Sequence, residues 1–125
     1  MSGPMGSLAR IAAVDPMTED TWTALKPVLE PREQVTAALA AIGCKLVVTD
    51  RHLILVRDGR TFRPRTGVQS WPLVPNLSVR STPTDGHPGR ILITMDGHTT
   101  SVFVASHDHR AADRLIAEVR RRSLA

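Results

Sequence analysis

The chain is poor in aromatic residues and in cysteine: its 125 residues include no tyrosine, two tryptophans, two phenylalanines and the single Cys44. A lone thiol makes no internal disulfide. Metal or nucleophilic roles would need partners that its surroundings do not supply, so Cys44, set against an apolar run, reads as a small buried side chain. Four aromatics are too few to interleave base-stacking platforms with cations, which makes a nucleic-acid surface a weak reading. No apolar stretch approaches the roughly 18 residues of a membrane-spanning helix. The N-terminus also lacks the basic region and apolar core of a secretory signal, so a cytoplasmic address is expected. Gly59, Gly67, Gly86 and Gly89 stand singly in turns rather than in a phosphate-cradling loop, and no serine has the context of a nucleophile elbow. Neither catalysis nor a cofactor is expected.

Lysine is scarce too. Arginine supplies fourteen of the sixteen basic residues, a bias that a GC-rich coding genome produces as readily as function does. The charge is uneven along the chain: three basic and five acidic residues through Val35, then eight basic and four acidic from Thr36 to Ala105. A basic excess permits anionic lipid, nucleic acid or an acidic protein surface without selecting among them. At 125 residues one domain is expected, able to bury roughly two thirds of the surface of its unfolded chain.

What the sequence does hold is strand chemistry. Met1 to Val14 has no clear period and reads as a mobile tail. Asp15 and Pro16 have the form of an N-cap and first-turn proline, predicting a short helix over 16–25, and Pro27 and Pro31 mark a linker. Between Arg32 and Gly43 two periods compete. Val35, Leu39 and Ile42 share one face of a helix, whereas a strand would align Val35, Ala37, Leu39 and Ala41, and local propensity alone favours helix. Beyond it, Leu46–Thr49 and His52–Arg57 form a tight hairpin about Asp50 and Arg51. Phe62–Leu73 is an irregular strand, interrupted by Pro64, Gly67 and Pro72, and is expected to lie at an edge or to carry a bulge. Leu77–Ser81 alternates, with Leu77 and Val79 inward, and Ser81–Gly89 is turn chemistry throughout. Arg90–Met95 and His98–Ala105 are joined at Asp96 and Gly97. A helix over 108–122 follows, capped by Ser106 or Asp108, with Ala112, Leu115, Ile116 and Val119 in one stripe.

Antiparallel strands followed by an amphipathic helix are best satisfied by a curled sheet whose open end the helix plugs. One strand complicates that solution. Leu53 and Leu55 are apolar, and so are the alternate Ile54 and Val56, so both faces of this strand need cover. Either the N-terminal helix carrying Trp22 lies over it or a second chain does.

These residues resemble the bacterial pleckstrin-homology-like domains. The shared features are an E-x-V at Glu33–Val35, the hairpin VVTDRHLILV, a later WPL at Trp71–Leu73, the strand GRILI, and a closing helix with alanines at its start. The likeness runs from about Leu29 to Arg122. It implies a seven-stranded antiparallel barrel capped by the C-terminal helix, with the ambiguous segment as its first strand. It further implies a binding module for lipid headgroups, peptides or proteins, in which some members oligomerise. In eukaryotic lipid-binding relatives a K-x-n-[KR]-x-R motif lies in the first hairpin loop. Here the similar arginines follow the third strand, which argues against a specific phosphoinositide site.

The candidate contact residues are Arg57, Arg60, Arg63 and Arg65, four guanidiniums in nine positions suited to phosphate or carboxylate, together with Ile54 and Val56 on the second hairpin face. The competing account of the arginines is a solvated rim that keeps an edge strand from pairing. A protein partner, a second copy of the chain included, is the leading expectation. Anionic lipid at the inner membrane face and nucleic acid are the alternatives. His107 and His109 would hold a metal only with two further ligands, such as Asp108 and His98, brought in by the fold, so no metal site is expected. Trp71 is expected to plug the barrel edge, and Arg120–Arg122 to complement the helix dipole.

Overall fold

A computed structural model describes residues 19–57, 67–84, 87–105 and 108–123. A short helix, α1 (Glu19–Leu25), runs into a 3-10 turn (Lys26–Val28) that contains Pro27. Seven strands follow: β1 (Val35–Ala41), β2 (Cys44–Thr49), β3 (His52–Arg57), β4 (Gly67–Pro72), β5 (Ser78–Thr84), β6 (His87–Met95) and β7 (His98–Val104). A second helix, α2 (His109–Ser123), comes after them. The strands are antiparallel and form two sheets, β1-β2-β3-β4 and β5-β6-β7.

Turn chemistry sets the strand boundaries. Ala41 pairs with Cys44 across Ile42 and Gly43, where Gly43 holds φ +78. Met95 pairs with His98 across Asp96 and Gly97, both with positive φ (53 and 83), the combination a type I′ hairpin turn requires. A Cβ at Gly97 would meet nothing within 4 Å, so only backbone strain opposes one there. Gly97→Ala is expected to cost about 1 kcal/mol, measured as a shift in the denaturant midpoint. An unchanged midpoint would show that the turn relaxes to another type.

The inner faces meet in one core. Leu39, Leu46, Leu53, Leu55 and Trp71 of the first sheet pack with Val79, Ile91, Ile93 and Val102 of the second. Ala112, Leu115, Ile116 and Val119 of α2 close the corner as the helical stripe predicts. The Arg120 guanidinium donates to the Val79 carbonyl (3.1 Å), and Arg121 and Arg122 bond Glu118, so the basic end of the helix is tied to β5 and to its own previous turn. A second, smaller cluster lies on the outer face of the first sheet. There Leu25 of α1 covers Val47, Ile54 and Val56, with Trp22 packed alongside. The two-faced hairpin is thus covered by the chain's own N-terminal helix.

The ambiguous segment after Arg32 is a strand, as the resemblance implies, because pairing with β2 and burial of Leu39 opposite Leu46 outweigh alanine's helical preference. Its faces do not alternate throughout. Val35 pairs with Thr49 but Ala37 with Val48, and this bulge places Val35 with Ala38 in the outer cluster while Ala37, Leu39 and Ala41 stay with the main core. Ser81–Gly89 is not turn throughout: β5 and β6 pair out to Thr84 and His87, with the register irregular between Thr82 and Thr84 where Pro83 cannot donate. The edge strand expected over Phe62–Leu73 is described as Gly67–Pro72 and does lie at the sheet edge. The tail through Val14, the predicted start of the first helix at Pro16 and the Ser106 cap lie outside the described residues, as do Arg60, Arg63 and Arg65.

Candidate functional site

Of the four arginines singled out above, Arg57 is described. It ends β3 opposite Cys44 on one side and Gly67 on the other, and its side chain is exposed. Val56 and Ile54, one and three residues earlier on the same strand, are only 2% and 1% exposed beneath α1. They present no surface to a partner while that helix is in place, so the expected contact through them is corrected by the fold.

A different apolar surface appears where the two sheets meet. The Ile42 N–H donates to the Phe103 carbonyl at 2.9 Å, joining the tip of the first hairpin to β7. Ile42 and Phe103 remain 53% and 49% exposed. Arg90, opposite Phe103 on β6, places its guanidinium carbon 6.0 Å from the ring centroid, at the limit of cation–π attraction. Arg57, opposite Cys44 and hence near this tip, adds positive charge. The pairing of Ile42 with Phe103 was not legible in the sequence. Phe103 does sit between the inward-facing Val102 and Val104, and strand alternation alone marks it as outward.

Glu33, read above only as part of a short motif, is a buried carboxylate with three hydrogen-bond donors. Its side chain is fully buried. It accepts from the Glu30 N–H (2.8 Å), from the Thr49 hydroxyl (2.5 Å) and from His52 Nδ1 (2.7 Å). Thr49, itself buried, accepts from the N–H groups of Arg51 and His52. Glu30, Pro31, Arg32 and Glu33 form a turn closed by the Glu33 N–H on the Glu30 carbonyl (3.0 Å), with Arg32 at φ +70, and Arg51 pairs with Glu30. Burial pushes the Glu33 carboxyl up, but the Glu30 amide, Thr49 and His52 outweigh it and hold the group below its ordinary range. The knot ties the approach to β1 to the β2–β3 hairpin. Every member is satisfied within the fold, so it reads as structural.

A groove of about 450 Å³ runs between β1 and α2. Thr36, Ala37 and Ala38 form one wall, and Arg114, Ala117 and Glu118 are among the helical residues forming the other. Burial raises the Glu118 carboxyl, but bonds from Arg122 and Arg121 and a contact with Thr36 more than offset it and leave the group below its ordinary range. Elsewhere, His109 pairs with Asp113 one turn along the helix, and no group of three metal-ligating side chains occurs among the described residues. No described helix is long and apolar enough to cross a membrane.

A four-stranded and a three-stranded antiparallel sheet, packed face to face with a C-terminal helix against their shared core, define the pleckstrin-homology-like fold. Solved structures share it. A pleckstrin homology domain from Shewanella amazonensis SB2B superimposes with a TM-score of 0.62 at 17% identity, over 82% of this chain and 96% of that one. A DUF1696 family protein with a pleckstrin-homology domain from Shewanella loihica PV-4 gives 0.57 at 18% identity, over 82% and 92%. No protein-family model and no curated protein matches the chain.

Proposed function

We propose that this chain is a non-catalytic binding module that docks a protein partner, a second copy included, through the seam between its two sheets. The observation that carries the reading is the exposed pair Ile42 and Phe103, held together by a backbone hydrogen bond and flanked by Arg57 and Arg90. Apolar residues gathered at a surface with arginine at the margin have the composition of a protein interface. The other three arginines of the Arg57–Arg65 cluster extend the basic margin in sequence and favour a partner with acidic residues around its own apolar centre. The described side chains assemble no open catalytic group: the Thr49 hydroxyl beside Glu33 and His52 is fully buried, and the bonds around Glu33 and Glu118 are made within the fold.

Size-exclusion chromatography with light scattering tests the self-association form. At high micromolar concentration the wild type is expected to exceed its 13.6 kDa monomer mass, and the pair Ile42→Ser and Phe103→Ser to return it to monomer. A wild-type monomer at that concentration sinks self-association. A second reading, contact with anionic lipid, draws on the same exposed hairpin tip beside cations. Co-sedimentation with anionic vesicles that is lost in Arg57→Ala and in high salt would favour it over a protein partner.

A further inference from the structure

We infer that the outer edge of β1, where it faces α2, is a strand-addition site for an extended acidic peptide segment of another protein. The inference rests on the reading of the chain as a protein-binding module but uses a different surface from Ile42 and Phe103, so the two stand or fall separately.

The groove geometry leads to the edge. Successive side chains of a strand point to opposite faces, and indeed Ala37 packs with the main core while Ala38 packs with the outer cluster. Thr36, the bulge residue, lines one groove together with Ala37 and Ala38, along a strand that is the edge of its sheet. The register fixes which backbone groups point there. Ala41 and Cys44 close a two-residue hairpin and form a hydrogen-bonded pair. Such pairs recur at alternate positions along the ladder, so Leu39 with Leu46 and Ala37 with Val48 are hydrogen-bonded as well. The intervening Ala38 and Ala40 then direct N–H and C=O away from β2. Ile42, of the same parity, bears out the direction by donating outward to Phe103. β1 is the end strand of its sheet, laddered to β2 alone, so the Ala38 and Ala40 backbone groups lie on an edge to which no further strand is paired.

Groups in that state are the template for an added strand. Alanines keep the approach low: Ala38 on the strand side, Ala111 and Ala117 on the helix side. The charge selects the occupant. Arg114 lines the groove with no hydrogen-bonding partner among the described residues, and Arg121 shares the Glu118 carboxylate with Arg122, which leaves the helical wall net positive. An extended segment pairing with Ala38 and Ala40 sends alternate side chains along this wall, where a carboxylate meets Arg114. The corresponding edge of β5 is less open, because Arg120 already occupies the Val79 carbonyl.

A phage-displayed library of random twelve-residue peptides, selected on the full chain, tests the inference. Enriched peptides are expected to carry Asp or Glu within a β-branched run, and a synthetic copy should protect the Ala38 and Ala40 amides from hydrogen exchange. Ala38→Pro removes an outward N–H that the β1–β2 ladder does not use, and Arg114→Glu reverses the charge on an exposed position. Each is expected to weaken the peptide at least tenfold while Ile42→Ser and Phe103→Ser leave it unchanged. Should Ala38→Pro fail to fold by circular dichroism, Arg114→Glu and the exchange measurement carry the test. No enrichment, enrichment of peptides without acids, affinity retained in Arg114→Glu, or unprotected Ala38 and Ala40 amides would each overturn it.

Discussion

Glu33→Ala is expected to lower stability by about 3 kcal/mol, since hydrogen bonds to a charged group are worth roughly 1.5–3 kcal/mol each and do not add in full. The substitution strands three donors at once: the Glu30 amide, the Thr49 hydroxyl and the His52 ring nitrogen. For a chain of this size the loss corresponds to roughly 12 °C in melting temperature. A second consequence is acid sensitivity. The folded Glu33 carboxyl titrates below its ordinary value, so the folded state prefers the ionised form. That stabilisation is complete above the ordinary glutamate range, near pH 4.3, and is lost as pH falls through it toward the lower folded value. Glu33→Gln keeps the size and removes the charge. The gap between wild type and Glu33→Gln, read from denaturant midpoints between about pH 7 and pH 3, is therefore expected to narrow on acidification. A gap constant with pH would show that the knot's strength does not come from ionisation.

Leu25→Ala is expected to cost a similar amount, about 3 kcal/mol, within the range for a buried leucine that leaves a cavity. Leu25 is fully buried against Val47, Ile54 and Val56. Removing residues 1–28 goes further, stripping the cover from that outer face and leaving an apolar patch on the middle strands of a sheet. Such a chain is expected to bind a hydrophobic dye that the intact chain does not, and to associate even when it carries Ile42→Ser and Phe103→Ser. A truncated chain that stayed monomeric and dye-free would mean that the outer cluster finds other cover. This separates two sources of self-association: one through Ile42 and Phe103 in the intact chain, another through Ile54 and Val56 only when α1 is lost.

Much of the architecture was legible because local and global signals agreed. VVTDRHLILV announced a hairpin apolar on both sides, and the structure supplies the second cover that pattern demands. The stripe at Ala112, Leu115, Ile116 and Val119 announced the capping helix. The signals failed where tertiary pairing decided. Alanine-rich β1 carries helical propensity, and its bulge breaks the alternation that a strand reading assumes. Prolines and glycines made Ser81–Gly89 look like loop, although Asp85-Gly86 within it is also a favoured sequence for a two-residue hairpin turn, and Thr84 does pair with His87 across it. The candidate surfaces were harder still. Which strands meet across the gap between sheets is not a local property, so neither the contact of Ile42 with Phe103 nor the groove beside Ala38 could be read from spacing.

The position of α2 in chain order has a bearing on synthesis. Each sheet is built from hairpins between neighbours in sequence, pairings that need no distant residue and form early. The helix that covers their shared corner is made after all seven strands, so on the ribosome the emerging sheets wait with part of their inner faces wet. A translation product stalled after Val104 would hold the strands and their register information but lack Ala112, Leu115, Ile116 and Val119, and chaperones should retain it until those side chains arrive.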